Sequence, residues 1–140
     1  MGRNRFNPAI QISGLRELEN IGYIENFSRK RDFRGNQTFT FSLTNQTIGG
    51  EEVSTDFSKY NIRIEYAKTL PPKIFIDDPS IKKMKHMYKD RSLCLYHWSK
   101  FKWGDDKSIA KTLVPWTYMW IYFYGQWLKT GKWFGDEYQH

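Results

Sequence analysis

The chain has 140 residues, about the size of one domain. Its 39% apolar and 18% aromatic content suffices to bury a core, which excludes a globally disordered protein. A single cysteine excludes an intramolecular disulfide framework and a four-thiolate zinc site, and the net charge of +7 suits a phosphate backbone, an anionic membrane or an acidic protein surface without choosing among them.

In chain order, residues 1–12 are polar and basic with one proline and read as a flexible arm before a single domain over residues 13–140. No apolar stretch of secretory type follows Met1, and position 6 is Phe6 where a myristoylation signal has Ser or Thr, so a reducing cytoplasm is the expected setting. Ser13 as an N-cap, with Leu15 and Leu18 three apart, predicts a short helix ending near Asn20. Residues 38–43, Thr-Phe-Thr-Phe-Ser-Leu, alternate polar and apolar as a strand with one wet face does. Residues 60–66 repeat the alternation with Tyr60, Ile62, Ile64 and Tyr66 on one face, residues 73–77 give a third strand, and the three predict an antiparallel meander. Residues 45–55, with paired glycines, and the Leu70-Pro71-Pro72 step are connecting loops.

Periodicity is lost after Pro79 until a helical pattern begins at Asp106, so the segment holding His86 and Cys94 reads as a long ordered loop. Ile109, Leu113, Trp116, Trp120, Tyr124 and Trp127 then recur at helical spacing, Pro115 marks a break or a fresh start, and Gly131 is a natural stop. The apolar run from Leu113 falls short of the roughly 20 residues of a membrane span and reads as buried helix, so no membrane partner is expected.

The plain reading of Cys94 is a small core residue. Its setting points further, because it lies in a loop beyond the sheet, and Lys82, Lys83, Lys85, Lys89, Arg91, Lys100 and Lys102 outnumber Asp90 around it. A positive surround favours thiolate and so a reactive nucleophile. His97, three residues on, and His86, eight before, suggest a dyad or metal site, but the further ligands of a metal and the orienting group of a dyad are missing from the pattern, so neither metal nor cofactor is expected. Basic residues interleaved with aromatics between Lys82 and Lys111 suit nucleic acid, yet most of those aromatics sit at core spacing and the lysines read as a solvated rim.

The order of helix, meander, Tyr66 with Leu70-Pro71-Pro72-Lys73-Ile74-Phe75, His86, Ser92-Leu93-Cys94-Leu95, Trp103 and helices resembles the ubiquitin-conjugating enzymes. The resemblance implies an α+β, UBC-like fold with an N-terminal helix, an antiparallel meander sheet, an active-site loop and C-terminal helices. The later segments, Ser108-Ile-Ala-Lys-Thr-Leu-Val-Pro-Trp-Thr117 and Trp127-Leu-Lys-Thr-Gly-Lys-Trp133, are similar to the bacterial conjugating-like proteins of CBASS antiphage operons. Those proteins act on the C-terminus of a cGAS/DncV-like nucleotidyltransferase, which the resemblance implies as the partner. It further implies a thioester on Cys94, supported by His86 in the loop, with Tyr96, His97 and Trp103 around the site and Asp105 or Asp106 orienting an incoming lysine. One departure concerns the oxyanion: the family's asparagine two residues after the histidine is replaced here by Tyr88, within a shorter loop to Cys94. Tyr88 or backbone N–H groups near Cys94 are the available donors. A catalytically silent protein-binding module of the same fold and a basic nucleic-acid-binding domain are the alternatives.

Overall fold

The first helix is set by an Asn-Pro pair that the sequence reading left in the arm. In the computed structural model, which describes residues 6–78, 80–82, 86–97, 99–104 and 106–135, helix α1 spans Pro8–Asn20. It begins at Pro8 and not at Ser13, because the Asn7 side chain accepts the Ile10 N–H at 3.3 Å and Pro8 fills the first turn, where its missing N–H costs nothing. Residues 8–12 are therefore helix, and Ser13 is an exposed mid-helix residue. At the other end Gly22, at φ 78, lets the Gly22 and Tyr23 N–H groups fold back onto the Glu19 and Leu18 carbonyls.

Four antiparallel strands follow in the spatial order β1-β2-β3-β4. They are β1 (Ile24–Arg31), β2 (Gln37–Leu43), β3 (Asn61–Tyr66) and β4 (Lys73–Ile76). The alternation read in β2 and β3 is the burial pattern found: Phe39 pairs with Ile64 and Phe41 with Ile62, and all four are buried. Strand β1 escapes the sequence reading. It is an edge strand of charged residues with one buried side chain, Ile24, and a bulge between Glu25 and Ser28, where Asn26 takes φ 57 and the Glu19 carboxylate accepts the Phe27 N–H at 2.7 Å.

Helix α2 (Leu113–Thr130) starts later than the helical spacing suggests. Pro115 lacks the N–H, and its ring clashes with the carbonyl four residues back, so helix cannot extend through Lys111; residues 108–112 instead form a turn closed by the Thr112 N–H on the Ser108 carbonyl at 3.0 Å. The expected stop is found at Gly131, whose φ of 75 carries its N–H to the Trp127 carbonyl. One buried cluster joins Leu15, the inward face of the sheet, Ile109 and α2 residues Leu113, Val114 and Ile121.

Gln11 ties α1 to the turn that precedes α2. Its buried amide donates to the Lys107 carbonyl at 2.8 Å and accepts the Ile109 N–H at 2.9 Å. Gln11→Leu keeps the bulk and strands both backbone groups, so the expected loss is about 1–3 kcal/mol of unfolding free energy by denaturant titration. An unchanged midpoint would show that the turn before α2 does not depend on this amide.

Candidate active site

The loop that carries Cys94 is built as a short hairpin laid on the outer edge of β4. Met87 bridges Leu93, the Tyr88 N–H donates to the Ser92 carbonyl, and the Arg91 N–H donates to the Tyr88 carbonyl, a three-residue turn of Lys89, Asp90 and Arg91 with Arg91 at φ 72. Three hydrogen bonds hold that turn: the Arg91 guanidinium donates to the Ile81 carbonyl, and the Asp90 carboxylate accepts both the Ser92 N–H at 2.9 Å and the Ser92 hydroxyl at 2.6 Å. The Leu93 N–H docks on the Ile74 carbonyl at 2.8 Å and the Cys94 N–H on the His86 carbonyl at 3.1 Å. From the other side α2 grips the same loop, with Trp120 Nε1 donating to the His86 carbonyl and the Tyr124 hydroxyl accepting the Lys82 N–H.

The Ser92 hydroxyl and then Lys73, 2.9 Å from Asp90, hold the Asp90 carboxyl down at about 2. A depressed carboxylate stabilises the fold above its unfolded value and loses that contribution as pH falls through the folded one. The stability difference between wild type and Asp90→Ala should therefore be full above roughly pH 4 and shrink toward about pH 2, where Asp90 itself protonates, measured by thermal melts across that range. A difference that stays constant with pH would exclude the charged bond.

Cys94 is buried, 4% exposed, in a wall shared with Tyr96, Trp116, Trp120, Phe123 and Trp133 around a cavity of about 370 Å³. A second cavity of about 530 Å³ lies across Leu95 and Tyr96, lined by Pro71, Pro72, Tyr88 and Leu93. The thiol donates to the Tyr96 carbonyl at 3.8 Å and hydrogen-bonds with the Tyr88 hydroxyl. Burial pushes the Cys94 thiol up, and the Tyr88 hydrogen bond pulls part of that rise back. Burial is thus the largest influence on the thiol, against the expectation of a thiolate favoured by a basic rim, and the Arg91 guanidinium is turned onto the Ile81 carbonyl; Lys83 and Lys85 of that expected rim lie outside the described residues. Burial beside the thiol also pushes the Tyr88 hydroxyl up to about 12, so it stays a neutral donor at neutral pH.

The structure brings together Cys94, Tyr88, Tyr96, His86 and His97, but neither Trp103 nor Asp106 joins them. His86 is buried, stacked on Trp133 with ring centroids 4.1 Å apart, and its carbonyl anchors both Cys94 and Trp120, which fits a loop support. His97 reaches the cavity wall while Nδ1 meets the Ser99 hydroxyl at 2.5 Å. Trp103 packs edge-on against Tyr66, 6.3 Å between centroids, and lines neither cavity. Asp106 is exposed beside Lys107, and Asp105 lies outside the described residues. Of the backbone donors considered for an oxyanion, the N–H groups of Leu93 and Cys94 are both committed to carbonyls.

The sequence reading missed Trp116, Phe123 and Trp133 as cavity walls. The first two were visible in principle, since Trp116, Met119 or Trp120, and Phe123 fall three or four apart on one helix face. Trp133 returns over His86 only because Gly131 reverses the chain. Among the described residues no three His, Cys, Asp or Glu side chains group as a metal site, and no helix is long and apolar enough to cross a membrane.

The model of the family described as Type II CBASS E2 protein matches residues 28–140, a span that takes in the hairpin, both cavities and α2. A search of curated proteins finds no match.

Proposed function

The chain belongs to the Type II CBASS E2 protein family, and from that premise we propose that Cys94 is the acyl carrier of an antiphage conjugation reaction. The partner in this reading is a cGAS-like nucleotidyltransferase whose C-terminal acyl group, delivered in activated form, is taken by the Cys94 thiolate. The sulfur attacks the carbonyl carbon, the activating group leaves, and an amine later displaces the sulfur to give an amide. A thioester reacts readily with amines, so the fold has to position the tail and stabilise the tetrahedral oxyanion. The observation that carries the reading is the placement of the Cys94 thiol in a cavity wall with the Tyr88 hydroxyl bonded to it. Tyr88 stands in for the family's asparagine as the oxyanion donor, His86 holds the loop, and Tyr96 walls the site.

A second reading is favoured by the 4% exposure of Cys94 and by the burial that raises its thiol. In that reading the chain is a silent binding module. The test is incubation with a cGAS-like nucleotidyltransferase and an activating enzyme, followed by intact-mass analysis. A Cys94 adduct released by excess thiol or hydroxylamine is the expected result; a stable complex with no covalent adduct would favour the silent module.

A further inference from the structure

The cavity at Cys94 is walled largely by aromatic side chains. Trp116 and Phe123 are half-buried residues on one face of α2, and Tyr96, Phe101 and Trp116 pack edge to face, with Phe101 and Trp116 centroids 4.9 Å apart. About 370 Å³ beside the thiol is room for one large side chain. Lys100 and His97 stand in its lining, and among the described lining residues there is no carboxylate.

We propose, resting on the carrier reading above, that this cavity selects the acyl donor by receiving an aromatic or large aliphatic side chain at the penultimate residue of its C-terminal tail, with an acidic residue just upstream facing Lys100. The terminal residue carries the reacting carbonyl and lies against Sγ. The next residue back along an extended tail, about 3.5 Å away, reaches the aromatic wall. Apolar side chains discriminate here by the area they withdraw from water, and the acid meets Lys100 on a protein of net charge +7.

The probes are three synthetic peptide thioesters of 2-mercaptoethanesulfonate, ending in Glu-Phe-Gly, Glu-Gly-Gly and Lys-Phe-Gly. The Cys94 thiolate attacks the peptide carbonyl, its own proton having gone to buffer; the new sulfur–carbon bond replaces the old one, and mercaptoethanesulfonate leaves and is protonated. Adduct formation is followed by intact mass. The Glu-Phe-Gly peptide should charge Cys94 at least about 10-fold faster than Glu-Gly-Gly and several-fold faster than Lys-Phe-Gly, the latter gap closing with added salt. Trp116→Ala should bring the Glu-Phe-Gly rate down toward that of the glycine peptide, whereas Phe33→Ser, at the exposed β1–β2 turn, should match wild type. Equal rates for the Phe and Gly peptides, with a hydroxylamine-labile Cys94 adduct in each case, would overturn the cavity assignment and leave the carrier reading intact. Equal rates for the Glu and Lys peptides would remove Lys100 from it. No adduct from any peptide, while N-acetylcysteine reacts with all three, would overturn both.

Discussion

Cys94→Ser should abolish the adduct that excess thiol removes and cut transfer to amines by at least about 10³-fold, while leaving the fold in place. The large effect has a chemical origin. A hydroxyl is a far weaker nucleophile than a thiolate unless a base takes its proton, and the nearby His97 has Nδ1 turned to the Ser99 hydroxyl. Any adduct that forms on serine is an oxyester, stable to thiol reductants and cleaved by hydroxide, so its chemistry reports the atom that carries the acyl group. The fold should tolerate the change because serine is slightly smaller and can keep the donor role that the thiol has toward the Tyr96 carbonyl. Measured together, unfolding midpoint and adduct mass separate the two readings of the site. An acyl carrier loses its thiol-labile adduct at unchanged stability. A silent module shows no adduct in either form and the same partner affinity in both, and that outcome would sink the carrier role.

What the sequence disclosed follows from which signals are local. β2 and β3 were legible because each has one dry face, so period-2 alternation survives in Phe39, Phe41, Ile62 and Ile64. β1 was not, since an edge strand that buries only Ile24 has no alternation to read and is defined by its pairing with β2. The start of α1 was encoded in Asn7-Pro8, but a cap and a first-turn proline look like loop composition until the helix behind them is known. At the site, Cys94 stood out as a lone thiol in a loop, and Tyr88 as the residue in place of an asparagine. The electrostatics were misjudged for a physical reason: a count of lysines along the chain ignores burial, and burial dominates the thiol. Trp103 is placed at the site by the family resemblance, whereas the backbone carries it to Tyr66.

Tyr88→Phe should slow charging of Cys94 by about 10²-fold and move its pH dependence upward. The magnitude is that of losing one donor to a tetrahedral oxyanion. The oxyanion oxygen is bonded to the carbon that Sγ attacks, so a hydroxyl already bonded to Sγ can reach it by a small rotation, and the Leu93 and Cys94 N–H groups are spent on carbonyls. The pH shift has its own sign. The Tyr88 hydrogen bond lowers the thiol against a larger rise from burial, so its removal leaves burial less opposed and the thiol climbs further above its ordinary range. Charging and iodoacetamide alkylation, which both follow the thiolate fraction, should then reach half their plateau at higher pH in the variant than in wild type. Alkylation forms no oxyanion, so at a pH above both midpoints its rate should recover in the variant while the charging rate stays low. That split tells an oxyanion donor from a group that only tunes the thiol. If high pH restores both rates equally, Tyr88 acts on the sulfur alone; if neither the rates nor the midpoint move, its hydroxyl has no part in the chemistry.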